Sequence, residues 1–236
     1  MKFGWQRHDR APLLAHLLCR LRPRLAGEPM KKYELVETDK TTPFGNPLFQ
    51  VVALRDFGDV RKGDLGGYIE STDNLSNEGN CWVSDNARVF EKARVSDNAR
   101  VFGNAEVFDN AWVSGDALVF DDAWVSDKAW VSDNALIYGN ALVSDNALVY
   151  GEAQVFGEAQ VYGNAKVFGN AEIYGTTELT GGYAFNTKDN GNGAQSASEL
   201  ACDHVKRNIC LCEWGDDCQM NNEPDFTYCP KCGEKL

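Results

Sequence analysis

Apolar and polar positions alternate with a fixed period between Cys81 and Gly182. The unit has six residues and recurs seventeen times, as A-x-V-[F/Y/S]-[G/D/E]-[N/D/E/K]. Ala occupies its first position fifteen times in succession, from Ala87 to Ala171, with Cys81 before and Thr177 after. Two residues on stands a branched aliphatic, from Val83 through Ile137 and Ile173 to Leu179. A helix cannot keep such a pattern on one face, because six residues advance it by about 240°. A strand can, since six is even and the same side chain always points the same way. One strand of this length is impossible, and the pairs Asp85-Asn86, Gly103-Asn104 and Gly139-Asn140 supply the breaks, being residue types that accept left-handed backbone angles. Each unit is therefore a short strand and a corner, and the whole is an all-β repeat architecture.

The aliphatic followed four residues later by a small one (Val83 then Ala87, Val89 then Ala93) resembles the signature of the bacterial and phage hexapeptide-repeat family. The resemblance covers residues 60–182. It implies a left-handed parallel β-helix of triangular section, three units to a coil, hence about six coils. At about 4.8 Å per coil the rod would be roughly 25–30 Å long. Members of that family are often labelled transferases or polymer-forming proteins, and its usual assembly is a trimer of prisms packed side by side.

Outside the repeat the chain divides further. Residues 1–29 carry an apolar run, Ala11–Leu21, with arginines behind it; a signal peptide has the reverse order. Met30-Lys31-Lys32-Tyr33 reads as a natural start, so 1–29 is expected to be an extension without a role in the fold, a transit-like segment being the alternative. Residues 30–59 read as a β-hairpin cap, with Tyr33–Glu37 and Leu48–Leu54 flanking a Pro- and Gly-containing turn. A cap is needed because an open first coil would recruit foreign strands. The lead-in Lys62–Ile69 is Gly-rich but lacks the Gly-Lys-Ser/Thr ending of a phosphate loop. Leu65, Ile69 and Leu75 are expected in an irregular first coil. Residues 183–198 read as a polar linker, and 199–236 as a small separate module.

That last module carries a metal signal. Cys229-Pro-Lys-Cys232-Gly233 has the spacing and the glycine of a zinc knuckle and resembles half of a zinc ribbon. Cys212 and Cys218 are the expected partners, with Cys210 as the alternative and His204 as a remote one. Four thiolates leave no open position, so the zinc would be structural and would supply the folding energy of a segment too small for a core. Clustered cysteines of this kind point to a reducing, cytoplasmic setting. Cys81 sits in an Ala slot and reads as a buried small residue.

Charge and composition narrow the functional classes. The net charge is −12, with residues 1–30 at +4 and the remainder at −16, so nothing here neutralises nucleic-acid phosphates. No stretch reaches the ~18 apolar residues of a membrane span. Many relatives in the resembled family transfer acyl groups from acyl-CoA with a His as general base. The three histidines here, His8, His16 and His204, lie outside the repeat, and no insertion interrupts it. No catalytic residue and no cofactor besides zinc is assigned.

Stacking by eighteen residues turns the outward positions into ladders. One side carries Phe102, Phe120, Tyr138, Phe156 and Tyr174. Another aligns Trp112, Trp130 and Leu148, an apolar stripe that a monomer would leave wet. These two ladders are the expected interaction surface, and a homo-oligomer, with the family's trimer favoured, is the expected user. The leading functional expectation is a non-enzymatic scaffold that engages a partner through the ladders or the zinc module. An acyl-CoA-dependent acyltransferase with an atypical base, and an acidic binding or sequestering protein, are the alternatives.

Overall fold

In the computed structural model of the protein, residues 31–190 are described, and they form an all-β parallel solenoid. Each repeat unit contributes a two-residue strand made of the x and Val positions, such as Arg88–Val89 or Trp124–Val125. The next residues turn the corner. The residue two after each Val adopts a left-handed backbone, at Asp85 (φ 57°) as at Gly139 (φ 71°). The Ala amide then closes many corners on the carbonyl three residues back, as Ala87 does on Ser84 at 3.2 Å.

Three such sides make a coil, and equivalent strands eighteen residues apart pair in parallel, as Trp124 does with Leu142. Three sheets of nine, seven and six strands result. The first face runs through Val89, Val107, Val125, Val143, Val161 and Leu179. The second runs through Val83, Val101, Val119, Ile137, Val155 and Ile173, and the third through Val95, Val113, Val131, Val149, Val167 and Ala184. The inward Val and Ala side chains are almost wholly buried and make one continuous core. Burying each Val contributes roughly 1.5–3 kcal/mol, against backbone ordering of about 1–2 kcal/mol per residue. The slot beside each Val is buried, and small side chains fill it throughout: Ala fifteen times, with Cys81 and Thr177 at the two ends.

The sheets hold about seven turns where the repeat alone predicts six. The extra turn comes from segments without the motif. At the start, Tyr68 pairs with Arg88 and Leu75 bridges to Val95; at the end, Tyr183 pairs with Lys166 and Lys188 with Glu172. Parallel pairing needs backbone, not the consensus side chains, so both ends borrow coil geometry from irregular sequence.

The cap is a hairpin of β1 (Tyr33–Thr41) and β2 (Pro47–Ala53), paired antiparallel. Strand β3 (Leu65–Ile69) lies antiparallel to β2 and parallel to Arg88–Val89, so the first face changes polarity at β3 and its edge is covered. Ile69 and Leu75 are fully buried, as expected, but Leu65 is 64% exposed. The reason is a bulge: the register slips between Gln50 and Val52, which turns Leu65 away from the core. Gly66 and Gly67 explain the glycine-rich lead-in. A Cβ on either would come within 2.6 Å of a backbone oxygen of the first regular coil, Val83 or Ala87 respectively. The two glycines permit close packing.

Candidate interaction surface

The x position of each unit points outward, beside the inward Val, and it decides what the rod shows. Read along the chain it runs Trp82, Arg88, Arg94, Arg100 and Glu106 at the start, and Gln154, Gln160, Lys166, Glu172 and Glu178 at the end. Between them come seven consecutive apolar residues, Trp112 to Leu148. Because successive units occupy successive faces, these seven wrap all three faces as a girdle. Trp112, Leu118 and Trp124 fall on the third, second and first faces, and Trp130, Leu136 and Leu142 repeat that order one coil later. Trp112, Trp124 and Trp130 are 43%, 47% and 44% exposed. The leucines are half-buried.

Trp112 and Trp130 stack on the third face, with centroids 5.3 Å apart and rings 8° from parallel, and Leu148 is the next rung. Each indole N–H donates to the serine of the coil before it, Trp112 to Ser96 and Trp130 to Ser114, both at 3.2 Å. Each ring is thereby tied to the coil before it. On the first face Trp124 stands edge-on to Phe108 at 6.0 Å. The second face carries the long aromatic ladder. Phe102, Phe120, Tyr138, Phe156 and Tyr174 stack in order at 4.8 to 5.0 Å, within 6° of parallel. These rings are half-buried, each covering the next. Burial and nearby carboxylates push the Tyr138 phenol above its usual range.

A fourth tryptophan occupies the same repeat position under different conditions. Trp82 is only 5% exposed, because Phe57 from the cap loop packs edge-on against it at 5.3 Å. Asp59 of the same loop pairs with Arg100. Behind the loop lies a polar plug. Lys32 is fully buried, and its Nζ donates to the Cys81 carbonyl at 2.9 Å, to Cys81 Sγ at 3.1 Å and to the Glu78 carbonyl at 3.3 Å. Desolvation lowers the lysine's pKa and raises that of the Cys81 thiol. The Tyr33 hydroxyl donates to the Leu75 carbonyl at 2.5 Å. Cys81 is thus a buried, satisfied residue. The lysine beneath it gave no signal in the sequence, where it looked like part of a basic start.

The corners add a second feature. On the corner following the first face, each carboxylate accepts the backbone N–H of the next coil: Glu70 from Glu91 at 2.7 Å, Glu91 from Asp109 at 2.9 Å. Desolvation and the Asp109 neighbour raise the Glu91 carboxyl. Beside it opens a shallow cleft of about 340 Å³ whose walls include Glu91, Lys92, Arg94 and Trp112.

The expected zinc ligands Cys212, Cys218, Cys229 and Cys232, with Cys210, lie outside the described residues, as do all three histidines. Among the described residues no group of three or more His, Cys, Asp or Glu is placed to hold a metal ion. No helix among them is long and apolar enough to cross a membrane.

Comparison with known proteins agrees on the architecture. The family described as YdcK beta solenoid repeat matches residues 93–107 and 137–151. The protein named uncharacterized acetyltransferase YdcK, from Escherichia coli strain K12, is 38% identical over 69 residues. That stretch is 26% of this chain and 21% of the relative, so the chain spans about a fifth of the curated protein it matches.

Proposed function

We propose that this chain is a rigid β-solenoid scaffold that works by binding at its apolar girdle and self-associates through it. The observation carrying this reading is that three tryptophans stand close to half exposed on the faces of the solenoid, while Trp82, at the same repeat position, is covered by the chain's own cap. Exposed aromatic rings on a rigid surface cost little conformational entropy to bury, which is what a recognition surface needs. The cysteines beyond the described residues would hold one structural zinc in a module carried by the rod. Native mass spectrometry of the full chain, with and without a chelator, tests both parts. The expected result is an oligomer with one zinc per chain. A zinc-free monomer sinks the reading.

A second reading has specific support. The cleft beside Glu91 joins a carboxylate of raised pKa to two cations and an indole, and the matched relative bears an acetyltransferase name. A carboxylate of that kind is a chemically reasonable general base for transfer of an acyl group from acyl-CoA to an amine or hydroxyl. Under this reading acetyl-CoA binds the chain and Glu91→Gln abolishes turnover while retaining binding. Under the scaffold reading acetyl-CoA gives no calorimetric signal.

A further inference from the structure

One of the three faces brings free opposite charges together when set against its own reverse. On the first face the outward column reads, coil by coil, Arg88, Glu106, Trp124, Leu142, Gln160 and Glu178. The neighbouring column, one residue after each Val, carries Phe108, Ser126, Ser144 and Tyr162 in its four central rungs. Two such faces brought together head to tail, about an axis midway between the Trp124 and Leu142 rungs, set each column against its own reverse. Trp124 then meets Leu142, Ser126 meets Ser144, Phe108 meets Tyr162, Glu106 meets Gln160, and Arg88 meets Glu178. Apolar faces apolar, aromatic faces aromatic, and a cation faces an anion at each end. The two serines leave space beside the projecting indoles.

The other two faces offer no free ion pair under such a reversal. On the third face, reversal about the Trp130 rung sets Arg94 against Lys166, and reversal midway between the Trp130 and Leu148 rungs sets Arg94 against Tyr183 and Trp112 against Lys166, so neither brings a cation to an anion. On the second face the rungs at the capped end are already occupied: Phe57 lies against Trp82 and Asp59 holds Arg100. A side-by-side parallel packing of the first face, as in a three-fold assembly, would leave Arg88 and Glu178 a rod's length apart. Arg88 already pairs with Glu106 at 3.4 Å, and its guanidinium has donors left for a second carboxylate.

We propose that the partner for the first face is a second copy of this chain, packed antiparallel as an isologous dimer centred on Trp124 and Leu142. This rests on the scaffold reading above and fixes the partner, face and orientation that reading leaves open. Isologous two-fold contacts require this kind of self-complementary surface.

The test uses the full chain in native mass spectrometry and light scattering. Wild type is expected as a dimer. Trp124→Glu, an exposed change that leaves the core intact, is expected to give monomer, while Trp130→Glu on the third face leaves the dimer. Glu178→Arg is expected to weaken the dimer at least about tenfold, since like charges facing each other are strongly unfavourable. Mixing Glu178→Arg with Arg88→Glu restores assembly as a heterodimer, because both end pairs become opposite again. Circular dichroism of each variant checks the fold. A dimer that survives Trp124→Glu, one that dissolves with Trp130→Glu, or a trimer overturns the proposed face and orientation while self-association stands. A wild-type monomer at about 100 μM, where even a micromolar association would be complete, removes self-association itself.

Discussion

The four outward tryptophans divide the rod into two regions built on one motif. In the capped coil Trp82 lies under Phe57, next to a loop anchored by Asp59 on Arg100 and backed by the buried amine of Lys32. In the middle coils Trp112, Trp124 and Trp130 have the same backbone and the same flanking Val, and they stay exposed among the described residues. The repeat itself is indifferent to what stands at its x position. Whether a tryptophan there is buried or left exposed is decided by a segment that lies outside the repeat, and among the described residues the cap covers Trp82 alone of the four.

This contrast is open to direct tests. Trp82→Ala should cost about 3–5 kcal/mol in urea unfolding, the usual penalty for deleting a buried indole. Trp130→Ala should cost about 1 kcal/mol, the worth of one exposed stacked pair. Equal losses would mean the cover over Trp82 contributes nothing. The plug comes next. Lys32→Ala leaves the Cys81 and Glu78 carbonyls without their donor and should cost about 1–3 kcal/mol, whereas Lys31→Ala, at an exposed position, should leave the unfolding midpoint unchanged.

A corner in the middle coils gives a smaller effect. Gly139→Ala forces a Cβ into a left-handed residue and to 2.9 Å from the Gly157 nitrogen, a loss of about 1–2 kcal/mol. Gly139→Asp should recover about 1 kcal/mol of it, because Asp121 one coil earlier accepts the Gly139 N–H and an aspartate could do the same for Gly157. Differential scanning calorimetry of the pair would show the ordering.

The mildest effect is one of pH. Burial holds the Tyr33 phenol well above its ordinary value near 10, so the unfolded chain releases that proton first and stability falls as pH rises past about 10. Cys81 acts in the same direction from about pH 8.5, and Lys32, whose pKa is lowered, acts in the opposite one. Tyr33→Phe should therefore give a shallower alkaline loss of stability than wild type. An unchanged slope would mean that the Tyr33 proton is no better held in the fold than in the unfolded chain.

Much of this architecture was legible in the residues. Period, face alternation and left-handed corners are local properties, so a six-residue motif written seventeen times specifies strand, turn and core together. The ends were less legible, because Leu65–Ile69 and Tyr183–Phe185 join the sheets by backbone pairing that no side-chain motif announces. Leu65 looked like core until a bulge turned it outward. The ladders from Phe102 to Tyr174 followed from stacking by eighteen, but that grouping hid a simpler fact. Read by six, the x positions from Trp112 to Leu148 are apolar without interruption, and Leu118 and Leu136 close the girdle on the second face. Lys32 was invisible because its burial depends on the cap folding over Cys81, a contact between residues 49 positions apart.

The register has a further consequence, at the level of the gene. Strands recur on the same face after eighteen residues, so loss or duplication of eighteen codons within the repeat would shorten or lengthen the rod by one coil and return every later side chain to its old face. A change of six codons would keep the fold equally well yet rotate everything downstream by one face. Arg88 and Glu178 would then no longer share a column. Replication slippage in such a tract is thus nearly silent for folding, while the surface it leaves depends on whether the number of units gained or lost is a multiple of three.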